Sequence, residues 1–264
     1  MNNFLLKFNA FLERDLKIAL SYKFNLLINV VFLAIFFTII FLAFQDSSIS
    51  SSGASYLNVF LSIISIDFMF SSLNVFSKEV RNAKILGTFE SILLTNTSFF
   101  TIIFSSYALT FFRMFLRGAL YLCICKYFFN LNIEFFDISF TLLSLFFNSV
   151  PFIGLGLISA SFIVIFKMGE VTNILISLLS ILFSGIFFPV SSLPIFMKSF
   201  VEVTPLNICL ETSKIILSES FSFSDLLPYF KVTCLEILLF LPLGIYFIFF
   251  AQKVAKKEGS LSFY

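Results

Sequence analysis

The chain has 264 residues, 59% of them hydrophobic and only 12% charged, with a mean hydropathy of +1.04 and a net charge of +2. A soluble domain carries roughly 25% charged residues, so there is too little polar surface here to cover a water-soluble fold, and the near-neutral balance excludes the footprint of a nucleic-acid binder. Histidine and tryptophan are both missing, which removes the commonest general base and the commonest metal ligand.

Residues 1–22 read as an amphipathic helix lying in the membrane interface, with Phe4, Leu5, Phe8, Phe11, Leu12, Leu16 and Ala19 on one face and Lys7, Glu13, Arg14 and Lys17 elsewhere. Asp15 falls inside the apolar stripe. Either it pairs with a nearby base at the water boundary, or this face packs partly on protein and Asp15 contacts a neighbouring span. The first apolar run is too long and begins too far in for a cleavable signal peptide.

About 20 apolar residues in a helix cross a hydrocarbon core of about 30 Å. Six runs qualify: Phe24–Phe44, Tyr56–Phe76, Phe100–Tyr121, Phe140–Phe166, Val171–Phe188 and Val232–Phe250. They are continuously apolar rather than alternating, which favours helices over a barrel. With the N-terminus inside, the cytoplasmic side, termini included, holds eleven of the lysines and arginines that lie outside the spans, and the outer side only Lys126, Lys198, Lys214 and Lys231. That bias places both termini in the cytoplasm of a multi-pass plasma (inner) membrane protein. The expected fold is therefore an all-α membrane protein, one domain over 1–264, with six transmembrane helices and an interfacial N-terminal helix.

Between the second and third spans lies EVRNAKILGTFESILLTNTS, residues 79–98. As a helix it sets Ile85, Leu86, Phe89, Ile92 and Leu93 in one narrow stripe, with Arg81, Lys84, Ser91 and Thr95 opposite and Glu90 at the edge. A plain connector needs only a few residues, whereas mixed charges beside an apolar stripe suit docking on another protein. Further along, Cys123 and Cys125 point in different directions on a helix and cannot share a metal, so the four cysteines read as free thiols. Gly154, Gly156, Ser159, Ala160 and Ser161 form a run of small residues that predicts close helix packing, and Pro242 predicts a kink.

Four charges fall inside spans: Asp67, Arg113, Arg117 and Glu236. Each costs roughly 2.5–3.5 kcal/mol at a bilayer centre, so lipid-facing placement without a partner is disfavoured. One reading is an ion pair of Asp67 with Arg113 between spans two and three. A second has Arg113 and Arg117, on a shared helical face, meeting an anionic headgroup or phosphate along a path. Proton coupling through Asp67 is a third. The outer segment 189–231 stays apolar, which predicts short helices dipping back into the membrane and broken at Pro194 and Pro205.

The 79–98 stretch resembles the E-R-x-x-G-T-x-E-x-L-L-x-T-P pattern of ABC-2 type permeases, the membrane subunits of many bacterial ABC exporters. Glu79, Arg81, Gly87, Thr88, Glu90, Leu93, Leu94 and Thr95 match, while Asn96 stands where the family usually has proline. A second family pattern, F-P-x-x-x-L-P ahead of a P-L and an acidic residue, is met by Phe188, Pro189, Leu193, Pro194, Pro205, Leu206 and Glu211, and Lys214 falls where an arginine is common. RDLKIALSYKFNLL is similar to the family's interfacial helix and KKEGSLSFY to the tail of a subset.

The resemblance implies a dimer with a second permease copy or paralogue, in which each half docks a cytoplasmic ABC ATP-binding subunit. That subunit, not this chain, would bind ATP and Mg, since no G-x-x-x-x-G-K-[ST] stretch occurs here. The 79–98 helix becomes the coupling helix, with Glu90 and Arg81 as polar contacts and Gly87 permitting close approach or a bend. The implied function is outward movement of a lipid, a lipid-linked glycan or a hydrophobic drug-like molecule, with no catalytic residue and no metal in the chain. Two other functions are weighed. A stand-alone secondary transporter would use Asp67 and Arg113/Arg117 as coupling charges. A membrane-embedded transferase would need acids, histidine or a metal cluster, and Glu202, Glu211 and Glu219 have no such company.

Overall fold

The computed structural model describes Ala10, Glu13 and Lys17 together with residues 53–87, 99–129, 134–166, 169–186, 194–218 and 222–258. The interfacial helix with Arg14 and Asp15, the first span Phe24–Phe44, Thr88, Glu90 and Pro189 lie outside the described residues. Ala10, Glu13 and Lys17 are helical. The Lys17 ammonium, 2.7 Å from the Glu13 carboxylate, holds that exposed acid below its ordinary pKa.

Among the described residues seven helices follow: α1 Gly53–Ile85, α2 Phe99–Phe129, α3 Phe135–Phe166, α4 Gly169–Leu182, α5 Ile195–Glu202, α6 Pro205–Ile216 and α7 Phe223–Glu258. Four of them, α1, α2, α3 and α7, are long and apolar enough to cross a membrane. The fifth expected span is shorter than its apolar run suggests. α4 has 14 residues, a rise of about 21 Å, and gives way to a turn in which Gly185 takes φ 74°.

α1, α2 and α7 overrun the expected spans at both ends, and α3 does so at its start. α1 has 33 residues, about 50 Å, against about 30 Å of hydrocarbon. α7 has 36 residues and starts at Phe223, so the last part of the expected outer segment belongs to the final long helix. Ser222, Ser224 and Asp225 explain that start. The two hydroxyls meet at 2.8 Å, and Asp225 places a carboxylate in the first turn, at the positive end of the helix dipole. Pro228 falls in the second turn of α7, and Pro242 and Pro151 lie well inside α7 and α3.

α3 is the centre of the bundle and packs on α1, α2, α4, α6 and α7. The run of small residues explains how. A Cβ at Gly154 would stand 2.4 Å from the backbone of Phe240, one at Gly156 would stand 2.5 Å from the Leu73 carbonyl oxygen, and one at Gly244 would stand 2.4 Å from the Gly154 carbonyl oxygen. The backbones of α1, α3 and α7 thus touch directly, as small residues allow in membranes. Around them Val75, Phe76, Ile153, Leu157, Ala160, Ile163, Ile248 and Ala251 form a buried cluster shared by the three helices.

The helices run in definite directions. Ser77 bonds Gly156 and Lys84 bonds Ile163, a constant sequence offset of 79, so α1 and α3 are parallel. Thr233 meets Asn148 and Phe240 lies at Gly154, so α7 is parallel to α3 as well. Asp67 lies by Arg117 while Ser72 lies by Tyr107, so α2 runs against α1. Alternation of this kind is what the expected order of spans requires.

Two short helices occupy the segment after α4, each opened by a proline. Pro194 precedes α5, and Pro205 takes the first position of α6, where its missing N–H costs nothing. α6 is no solvated loop. Pro205, Leu206, Asn207, Ile208, Cys209, Leu210, Thr212, Ser213 and Ile216 are all buried. Large apolar faces of α2, α4 and α7 remain open, among them Leu116, Leu120, Ile174, Leu178, Leu238 and Tyr246. A soluble monomer rarely exposes so much.

Candidate functional site

The stretch beginning at Glu79 is not a separate helix at its start. α1 runs unbroken through Glu79 and Arg81 to Ile85 and stops at Gly87. There Leu86 N–H donates to Asn82 O at 2.9 Å and Gly87 N–H to Lys84 O at 3.0 Å, with Gly87 at φ 66°. That is the left-handed residue with which many helices end, and no atom lies within 4 Å of a Cβ built there. The helix therefore ends where the sequence sets glycine, and residues 88–98 of the stretch lie outside the described residues.

The faces of this helix end are reversed from the expectation for a solvated polar side. Lys84, expected opposite the apolar stripe, is buried at 4% exposure, while Ile85 and Leu86 of the stripe are 55% and 74% exposed. The Lys84 ammonium donates to Ile163 O at 3.3 Å and Val164 O at 3.0 Å. Both carbonyls belong to the last turn of α3, whose C=O groups have no donor within the helix, and a cation suits that end of the dipole. Glu79 and Arg81 are half-buried beside it.

The charges expected inside the spans are brought together differently from the expected pairing. Asp67 Oδ1 meets Arg117 Nη1 at 3.2 Å, and Arg117 Nη2 donates to Ser71 Oγ at 2.7 Å. The partner is Arg117, not Arg113. Arg113 is exposed and stands one turn nearer the N-terminus of α2, about 6 Å off the level of Asp67. Gly118 sets the register: it is buried against Phe68, so the α2 residue beside it is the one that reaches Asp67.

A second polar layer joins α3, α6 and α7. Asn148 Nδ2 donates to Thr212 Oγ1 at 2.8 Å and to Ser144 Oγ at 3.4 Å, while Thr233 donates to Asn148 Oδ1 at 2.9 Å. Glu236, one turn beyond Thr233, is 6% exposed, and neither carboxylate oxygen has a hydrogen-bond partner among the described residues. Sequence reasoning marked Glu236 but missed Asn148, for which the only signal was a lone amide in an apolar run. On α6, Glu211 pairs locally with Lys214 at 2.8 Å. Pro194 is exposed and Pro205 buried. The four cysteines are free, and no group of three metal-ligating side chains occurs among the described residues.

No arrangement of nucleophile, base and acceptor occurs in these layers. What they form is a set of apolar helices joined by buried polar ties, with bare helix faces outward, which defines a multi-pass helical membrane protein. A family model for the ABC-2 type transporter matches residues 7–218, and the chain belongs to that family. Curated proteins give no match. Membership makes the chain the permease component of an ABC transporter, a transport domain and not a catalytic one, of a kind that generally works with an ATP-binding subunit.

Proposed function

We propose that the chain is the permease of an ATP-driven exporter, powered by a separate ATP-binding subunit that holds ATP and Mg and docks at 79–98. The observation that carries this is the family match across 7–218 together with the helix end at Gly87, where Ile85 and Leu86 stand exposed. An apolar pair on a helix end outside the bundle has the chemistry of a docking contact. On this reading Glu79, Arg81, Gly87, Thr88 and Glu90 form the coupling region, and the permease works as a dimer with a second copy or paralogue. Six spans cross the inner membrane with both termini cytoplasmic. α5 and α6, within the outer segment 189–231 that holds Pro189, Pro194, Pro205 and Glu211, dip into its outer half, and the N-terminal helix with Arg14 and Asp15 lies in the inner interface.

The cargo is a lipid, a lipid-linked glycan or a hydrophobic drug-like molecule moved outward. The apolar bundle supports this class, since small ions would find few ligands in it. Among the described residues its interhelical polar ties include Asp67–Arg117, the Asn148 layer, Asn74–Asn173 and the Lys84 contacts. A secondary transporter using Asp67 and Arg113/Arg117 is favoured less, because Asp67 is occupied by Arg117 and Ser71 holds the other side of that guanidinium. The test is Glu90→Lys. It should leave the permease in the membrane while lowering permease-stimulated ATPase activity about 30-fold or more, the loss expected when one partner of a buried charge contact is removed at a cost of about 2 kcal/mol or more; unchanged stimulation removes the docking role.

A further inference from the structure

The inner half of α1 is tied by hydrogen bonds to one neighbouring pair of helices. Asn173 Nδ2 of α4 donates to Asn74 Oδ1 at 3.0 Å. One turn on, Ser77 reaches Gly156 O of α3 at 3.5 Å, where Leu73 O already stands 2.5 Å from the space a Gly156 Cβ would fill. Two turns further, Lys84 grips Ile163 O and Val164 O. Between these ties Val80 and Ala83 are buried against Ile163, Val164, Ala251 and Ala255.

Lys84 is the unexpected member of this series. It stands at a helix end, where a lysine can extend its stem and leave its ammonium in water, and lysine is almost never fully buried without a partner. Here it turns inward, and its acceptors are the unpaired carbonyls of the α3 C-terminus, directly before the short link 167–168 into α4. Three residues after Lys84 the chain bends at Gly87. A push delivered beyond Gly87 therefore reaches a helix end fastened to α3 at its last turn and to α4 at Asn173.

We propose that Lys84 is a positioning residue that clamps the inner end of α1 to the α3–α4 hairpin, so that movement of the segment after Gly87 is passed to α3 and α4 as one body. Without the clamp, α1 bends at its end and absorbs the displacement. The transmission part rests on the reading that an ATP-binding subunit docks at 79–98; the clamp itself does not.

The test uses the full-length permease in nanodiscs, without its four native cysteines. Spin labels are placed at the exposed positions Asn82 and Phe166, and their separation is read by double electron–electron resonance. The clamp predicts one narrow distance in the parent and in Lys84→Arg, which keeps a cation, and a distribution at least twice as wide in Lys84→Met, which keeps length and loses the donors. Equal widths in Lys84→Met and the parent overturn the clamp. A Lys84→Met protein that loses monodispersity or helicity marks the residue as structural and overturns it too.

With the ATP-binding subunit co-purified, vanadate trapping should leave the 82–166 distance unchanged in the parent and shift it in Lys84→Met. A parent distance that moves as far as that of Lys84→Met overturns transmission. If the parent permease does not stimulate ATP turnover by the co-purified subunit, the docking reading fails, and the widths measured without nucleotide still decide the clamp.

Discussion

Replacing Gly154 with alanine sets a methyl group 2.4 Å from both the carbonyl carbon and oxygen of Phe240 and 2.8 Å from the Leu241 nitrogen. All three are backbone atoms of a long helix, so no side chain can swing aside. Ordinary carbon contacts lie at about 3.5–4.0 Å, so α3 and α7 must part by about 1 Å or more along this crossing. Overpacking of that kind costs roughly 1–3 kcal/mol, and the better helix propensity of alanine returns up to about 1 kcal/mol. A net loss of about 1–2 kcal/mol corresponds to a fall in midpoint of about 2–8 °C for a chain of this size. Gly118→Ala is the control, because its Cβ would meet Leu142 Cδ2 at 2.6 Å and the Phe68 ring edge at 3.0 Å, both side-chain atoms able to move. Heating purified protein in mild detergent and measuring the remaining monodisperse fraction gives both midpoints. A Gly154→Ala protein as stable as its parent, or a larger loss in Gly118→Ala, refutes the argument that backbone contact holds α3 to α7.

Exchange of the ion pair, Asp67→Arg with Arg117→Asp, should recover more folded protein than either single change, and Arg113→Asp should not replace Arg117→Asp in that rescue; membrane yield by fluorescence-detected chromatography decides it. Glu236→Gln should match or exceed the parent's midpoint, because a buried carboxylate without a partner carries a desolvation cost that an amide of the same shape reduces; a fall of several degrees would reveal a partner that matters. In intact protein in detergent, maleimide should modify the exposed Cys234 well before the buried Cys209 and Cys125, and early reaction at Cys209 would mean that α6 is not seated on α3 and α7.

The apolar runs announced α1, α2, α3 and α7 because about 20 apolar residues have no other use in water, yet hydropathy gave neither their lengths nor their ends. α7 starts at Phe223, where the Ser222 and Ser224 hydroxyls meet and Asp225 sets a carboxylate in the first turn, a local signal that lies outside the apolar run. The small residues of α3 correctly foretold backbone contact. The partner of Asp67 was missed by one turn, since Arg113 and Arg117 are equivalent in sequence and only the seating of Gly118 against Phe68 sets the register. Lys84 was placed on the polar face because helical periodicity assigns an angle and not a neighbour. The carbonyls that draw it inward belong to a helix 79 residues away. Asn148 shows the same limit: a single amide acquires meaning only when Thr212 and Thr233 arrive from two other helices. The short α5 and α6 were legible from their prolines, whereas the burial of α6 is tertiary.

The most direct measurement on the central claim is affinity purification of the tagged full-length chain from its native host in mild detergent, with quantitative mass spectrometry of what comes with it. The account predicts an ATP-binding subunit bearing a Walker-type phosphate loop, in equal stoichiometry with the permease, lost when Leu86 is replaced by aspartate. A stable, monodisperse assembly that repeatedly contains no such subunit contradicts it, and would move attention from Gly87 and Lys84 to Asp67 and Arg117.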